Sequence, residues 1–199
     1  MVVLKLGGSL FESARTLVSR LSAYAKEKQR CILIVPGGSI FADTVRRAGA
    51  SNDASHCMAI LAMEQYGWYL LDGTGADGTY ELDIIKPGVH VLLPYRLLRE
   101  RDELAHSWDV TADTIAAWVT RELGTRLIKL TDVDGIYTGG ELVREINASE
   151  LPAESCVDRA LPGFLKDNCM DCLVVNGRCF GSVIGAIEGK NPGTCIRGI

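Results

Sequence analysis

The chain has 199 residues, 47% of them hydrophobic and 23% charged, with a net charge of −4 and a pI near 5.4. That is the composition of one ordinary globular domain, and its acidic balance excludes a nucleic-acid partner held by bulk charge. No apolar run approaches the ~20 residues of a bilayer span, and residues 1–10 read as a buried strand ending in glycines rather than a leader, so a cytoplasmic chain is expected.

In chain order, VVLKL (2–6) is an apolar, β-branched run that reads as a strand stopping at Gly7-Gly8-Ser9. A helix follows with Leu17, Leu21, Tyr24 and Ala25 on one face. CILIV (31–35) is the second strand, PGGS (36–39) its closing turn, and IFADTVRRAG the next helix. Residues 55–71 read as a longer apolar helix carrying His56, and VHVLLPY (89–95) as a third strand. TADTIAAWVTRELG (111–124) has helical spacing at Ile115, Trp118 and Val119, with Asp113 in its first turn and Gly124 at its end. TRLIKLTDV (125–133) and CLVVNG (172–177) are two more strands; GSVIGAIEGK then reads as a helix before a short last strand at TCIRG. Strand–helix alternation with buried apolar strands predicts an α/β fold, its mainly parallel sheet covered on both faces. Ligands in such folds gather at the carboxyl ends of the strands, where each glycine-rich turn just named also falls.

Lys5-Leu6-Gly7-Gly8-Ser9 ends the first strand: adjacent glycines let the backbone approach an anion, the helix start offers free N–H groups, and Lys5 adds a full charge. A tight turn with a solvent lysine is the alternative. Pro36-Gly37-Gly38-Ser39 repeats the arrangement one strand later, so one turn suits a phosphate donor and the other an acceptor. Neither is a G-x-x-x-x-G-K-[ST] loop. Gly73-Thr-Gly75-Ala-Asp-Gly78 fits G-x-G-x-x-G by letter but follows a helix, and reads as a flexible loop. Asp132-Val-Asp134-Gly135 resembles part of a calcium loop with its glycine misplaced. Asp113, in the Asp109-Val-Thr111-Ala-Asp113 segment, serves either the helix dipole or the positioning of lysines near a triphosphate. The seven cysteines (31, 57, 156, 169, 172, 179 and 195) include one C-x-x-C and no second, which argues for reduced thiols and no bound metal.

Taken in order, K-x-G-G-S (5–9), P-G-G-S (36–39), D-V-T-A-D (109–113) and K-L-T-D-V-D-G-I-Y (129–137) resemble the amino acid kinase family, which includes acetylglutamate, uridylate and isopentenyl phosphate kinases. The resemblance implies a three-layer αβα sandwich around a largely parallel sheet of about eight strands. It implies one domain over 1–199, with acceptor binding roughly in 1–105 and nucleotide binding roughly in 106–199. ATP would be the donor, Mg²⁺ the cofactor and a small phosphorylated molecule the acceptor; separately, the apolar helices of the chain make a homo-oligomer the expected assembly. Lys5 and Asp113 would be catalytic. Lys166, in LPGFLK (161–166), stands where many members carry a second catalytic lysine after a G-M pair absent here, so Lys166 is either that lysine or a surface one. ATP would meet Gly7, Gly8, Ser9, Lys129, Thr131, Asp132, Asp134, Gly135 and Tyr137, with Gly189 and Thr194 at the edge. Gly37, Gly38, Ser39, His56, Trp108 and Asp109 would hold the acceptor; His56 would meet its phosphate or be a satisfied helical side chain, and Trp108 would pack on its ring or belong to the core. The stretches 55–67 and 106–118 are similar to an archaeal branch of the family whose acceptor is a furan-bearing phosphate monoester.

Overall fold

The VVLKL run folds as β1 (Val2–Leu6), buried along its whole length, and its alternating side chains feed two separate cores. The computed structural model describes residues 1–84, 86–152 and 154–199. Val2, Leu4 and Leu6 join the core beneath helix α1 (Phe11–Glu27), while Val3 joins the core beneath helix α5 (Ala112–Glu122). Lys5 therefore emerges on the α5 side of the sheet, a direct consequence of the period-2 strand.

The remaining elements are β2 (Cys31–Pro36), α2 (Ser39–Ala48), α3 (Asn52–Leu71), β3 (Asp77–Thr79), β4 (Gly88–Leu92), α4 (Tyr95–Glu100), β5 (Leu127–Thr131), β6 (Ile136–Thr138), β7 (Glu141–Val143), β8 (Glu145–Asn147), α6 (Leu161–Asp167), β9 (Cys172–Asn176), α7 (Phe180–Ile187) and β10 (Thr194–Arg197). Eight strands form one sheet in the order β3-β4-β2-β1-β5-β9-β10-β8, parallel except at the β9–β10 pairing. β6 and β7 form a separate hairpin. Helices cover both faces, as the alternation predicts.

The order reverses at β1, which the chain leaves towards β2 on one side and rejoins through β5 on the other. A crevice opens at the carboxyl end of such a strand, where crossovers depart in opposite directions. Lys5, Gly7 and Gly8 sit there.

Two expectations change. The G-x-G-x-x-G look-alike is no flexible loop: Thr74 is buried with its hydroxyl donating to Leu70 O at 2.7 Å, and Asp77–Thr79 adds an edge strand to β4. Helix α3 also starts three residues earlier than its apolar face, because the Ser51 hydroxyl accepts the Ala54 N–H at 3.3 Å and caps it. Among the described residues no helix is long and apolar enough to cross a membrane.

Candidate active site

Parallel pairing places Lys5 of β1 directly beside Lys129 of β5, on one face of the sheet. Two ammonium groups on adjacent buried strands repel unless a carboxylate lies between them. Asp113 lies there: Lys5 Nζ is 2.7 Å from its Oδ1 and Lys129 Nζ 2.5 Å from its Oδ2. All three are almost wholly enclosed, at 8%, 5% and 5% exposure for Lys5, Asp113 and Lys129. Burial alone would raise the Asp113 carboxyl, but the two ammonium groups outweigh it and hold its pKa at about 2. Burial pulls the Lys5 ammonium below its ordinary value despite Asp113, and Lys129 pushes the same way. For Lys129 the carboxylate overcomes burial and the shift is upward. The cluster thus carries one net positive charge with little water to screen it.

Asp158, which nothing in the sequence marks out, fixes this carboxylate. Its backbone N–H donates to Asp113 Oδ2 at 3.0 Å. Its own carboxylate accepts the Thr111 and Thr114 N–H groups at 2.9 and 3.0 Å and both threonine hydroxyls at 2.8 and 2.6 Å. Thr111 is the cap residue of α5 but makes no side-chain cap of its own, so Asp158 supplies the cap from 47 residues away.

The two glycine turns touch. A Cβ on Gly8 would lie 2.7 Å from the Ser39 Cα, and the Gly37 N–H donates to Leu6 O at 2.9 Å. Only glycine fits at position 8, since the obstacle is backbone. Ser39 opens α2 with φ at +48°, a left-handed conformation a serine adopts at some cost, and its buried hydroxyl has no partner among the described residues. An anion placed between the turns would give that hydroxyl its partner.

In front of the turns lies a cavity of about 360 Å³. Lys5, Gly8, Gly37, Gly38 and Ser39 form one part of its wall. Ile40, Ile60, Met63, Val110 and Ile115 make an apolar stretch, with His56, Ser107 and Trp108 beside it. Asp43 and Arg46 of α2 also line it; they pair at 3.1 Å, and the Arg46 guanidinium lies 4.8 Å from the centre of the Trp108 ring. The structure therefore gathers Lys5, Gly8, Gly37, Gly38, Ser39, His56 and Trp108 at one cavity. Gly7 and Ser9 flank Gly8 without lining it, and Asp109 is exposed, its carboxylate 3.6 Å from Arg159.

The β5 end forms a second polar group. The Thr131 hydroxyl lies 3.3 Å from Asp132, Asn176 donates to Asp134 at 2.8 Å, and Tyr137 is exposed with its hydroxyl 3.4 Å from Asp134. Arg178, 3.7 Å from Asp132, and Asn176 are additions the sequence did not suggest. Thr194 lies beneath this group: its buried hydroxyl accepts the Ile136 N–H and donates to Val143 O, tying the β6–β7 hairpin to β10. Gly135 (φ +157°) packs against that hydroxyl, where a Cβ would come within 2.4 Å. Gly189 has Arg126, at the amino end of β5, as its nearest side chain. Lys166 is exposed in the last turn of α6 and lines no part of the cavity. Cys169 is exposed and Cys172 buried, so the C-x-x-C presents no joint ligand pair, and all seven cysteines are free.

A model of the amino acid kinase family matches residues 85–161. Over 204 aligned positions, spanning 96% of this chain and 94% of the relative, the sequence is 38% identical to 5-(aminomethyl)furan-3-ylmethyl phosphate kinase from Methanocaldococcus jannaschii. Among solved structures, uridylate kinase from Archaeoglobus fulgidus superposes with a TM-score of 0.70 at 18% identity, covering 98% of this chain and 99% of that one. UMP kinase from Ureaplasma parvum does so with a TM-score of 0.69 at 15% identity, covering 98% of each. At those identities the two structures speak for the fold.

Proposed function

The chain belongs to the amino acid kinase family and is a phosphotransferase; from that premise we propose that it carries the γ-phosphoryl group of ATP onto 5-(aminomethyl)furan-3-ylmethyl phosphate, giving the diphosphate. The observation that carries this reading is that Lys5 belongs at once to the buried Lys5–Asp113–Lys129 cluster and to the wall of the cavity between the glycine turns. A cation so placed meets the transferring group from the side of the acceptor.

An oxygen of the acceptor phosphate attacks the γ-phosphorus in line, and the bond to the ADP oxygen breaks with its electron pair leaving on ADP. A phosphate oxygen is already ionised, so no general base is needed. The work lies in bringing two anions together. Lys5, the net charge of the cluster and the N–H groups of Gly8 and Gly38 share it, while Asp113 keeps both lysines aimed. Lys129, charged and paired, takes the place of a second catalytic lysine; Lys166 would reach the phosphates only through movement of α6 or of its own long side chain.

Mg²⁺, when bound, neutralises the charge of the triphosphate. Among the described residues Asp113 is the one buried carboxylate and is committed to two lysines, so the ion would be held by ATP and water, and Asp132 or Asp134 would be the carboxylate to meet it through water. Thr131, Asp132, Asp134, Gly135 and Tyr137 would seat the nucleoside, and the nucleotide half of the chain would run from about residue 106 onward. In the cavity, Trp108 would meet the furan ring and Asp43 the ammonium, with His56 on the wall beside them.

Seven free thiols and ATP as donor fit a cytoplasmic enzyme. Exposed Leu61 and Trp68, seven residues apart on α3, favour association of copies. An acceptor panel read by ADP release tests the reading. Turnover with the aminomethylfuran phosphate well above that with isopentenyl phosphate is expected, and the reverse order would replace the acceptor assignment.

A further inference from the structure

At the edge of the cavity, two histidines and two aspartates meet where the start of α3 faces the loop between α4 and α5. His106, on that loop, lies between two carboxylates: its Nδ1 is 2.7 Å from Asp53 Oδ1 and its Nε2 2.9 Å from Asp102 Oδ1. His56 stacks on it with ring centres 4.0 Å apart, and His56 Nε2 is 3.8 Å from the same Asp102 oxygen. Among the described residues, His56, Asp102 and His106 are the one group of three or more His, Cys, Asp or Glu whose ligand atoms all fall within 4.8 Å of one another.

We propose that His56, Asp102 and His106 bind a divalent transition-metal ion of the zinc class, with Asp53 bracing His106 from behind. Zinc bonds of about 2.0–2.1 Å in a tetrahedron set neighbouring ligand atoms about 3.3 Å apart. The gaps of 2.9 and 3.8 Å bracket that edge, so the Asp102 oxygen and the two Nε2 atoms need to shift by only about half an ångström against one another in those two distances. The His56 ring must also turn out of its 20° stack to aim its Nε2 at the ion. His106 Nδ1–H donates to Asp53, which leaves Nε2 to ligate. A carboxylate behind a ligating imidazole is the usual brace of such sites. Two imidazoles and a carboxylate suit zinc, cobalt or nickel, whereas magnesium and calcium call for oxygen ligands throughout. His56 also lines the cavity, so an ion here would tie the loop that carries Ser107 and Trp108 to α3.

Cobalt(II) is the probe, titrated into the metal-free full-length chain. The expected result is one equivalent bound per chain, with ligand-field absorption from nitrogen and oxygen donors and none of the charge transfer that thiolate ligation adds. His106→Ala abolishes the binding, and Asp53→Asn, a change at an exposed side chain, weakens it about 10–100-fold with the circular dichroism of the fold unchanged. Absence of saturable uptake would overturn the proposal. So would uptake that survives the double change His56→Ala/His106→Ala, or that carries the thiolate band of the free cysteines.

Discussion

The Asp158 backbone N–H donates to the carboxylate of Asp113 at 3.0 Å, and the same residue's side chain caps the helix on which Asp113 sits. One residue thus fixes the orientation of the cluster's only anion and the helix that carries it. Asp158→Ala would leave two amides and two hydroxyls at the α5 start without their acceptor. A loss of about 2–4 kcal/mol in urea unfolding is expected, together with a drop in kcat. Asp158→Asn should recover part of the stability, since an amide oxygen still accepts.

The cluster's charge predicts opposite consequences for its members. Removing Asp113 as Asp113→Ala leaves two buried ammonium groups facing each other, so about 3–5 kcal/mol of stability should go with activity. Lys5→Met instead removes one of two like charges and leaves Asp113 paired with Lys129. The Tm is expected to hold or rise while kcat falls about 10²–10³-fold. Equal stability losses in both variants would contradict the pairing. Lys129→Met should cost more in kcat than Lys166→Ala.

Acid should probe the same carboxylate. Asp113 titrates at about 2 when folded and near 4 when unfolded, so its contribution is fully present above about pH 4 and is lost as pH falls from there through about 2. The shift corresponds to roughly 2 kcal/mol. Urea midpoints should therefore decline over that window in the parent chain, with a visibly smaller decline in Asp113→Asn. At the alkaline end, Lys5 titrates below an ordinary lysine, so kcat/KM should fall at a pH where solvent lysines are still charged.

Contact between the glycine turns gives a further test. Gly8→Ala drives a methyl into the Ser39 backbone and parts the turns, for which about a 10²-fold loss of kcat/KM is expected. Gly163→Ala, where a Cβ meets open space within α6, should leave kinetics unchanged and stability equal or up to about 1 kcal/mol higher. A silent Gly8→Ala would remove the turns from the site.

Much of this was legible in the chain because it depends on local signals. VVLKL, CILIV and LIKLT are short, β-branched and bounded by glycine or polar residues, so their strands and the turns after them could be read directly. Lys5 was conspicuous as the charge beside the first glycine turn, and Lys129 was read only as a nucleotide contact. That they stand side by side is a matter of register, which only pairing reveals. Asp158 and Asn176 gave no signal, because their roles arise from contacts 42 to 47 residues distant. The three-residue strands β3, β6, β7 and β8 are too short and too polar for periodicity to register. Thr194, expected at the edge of the nucleotide site, also holds a hairpin through its buried hydroxyl, a role that sequence does not signal.

Phosphorus NMR of the parent chain incubated with ATP, Mg²⁺ and 5-(aminomethyl)furan-3-ylmethyl phosphate tests the central claim most directly. The expected spectrum loses the acceptor monoester and gains the coupled pair of a new organic diphosphate in step with ADP. Release of inorganic phosphate alone, or ATP left intact beside an unchanged monoester, would contradict it.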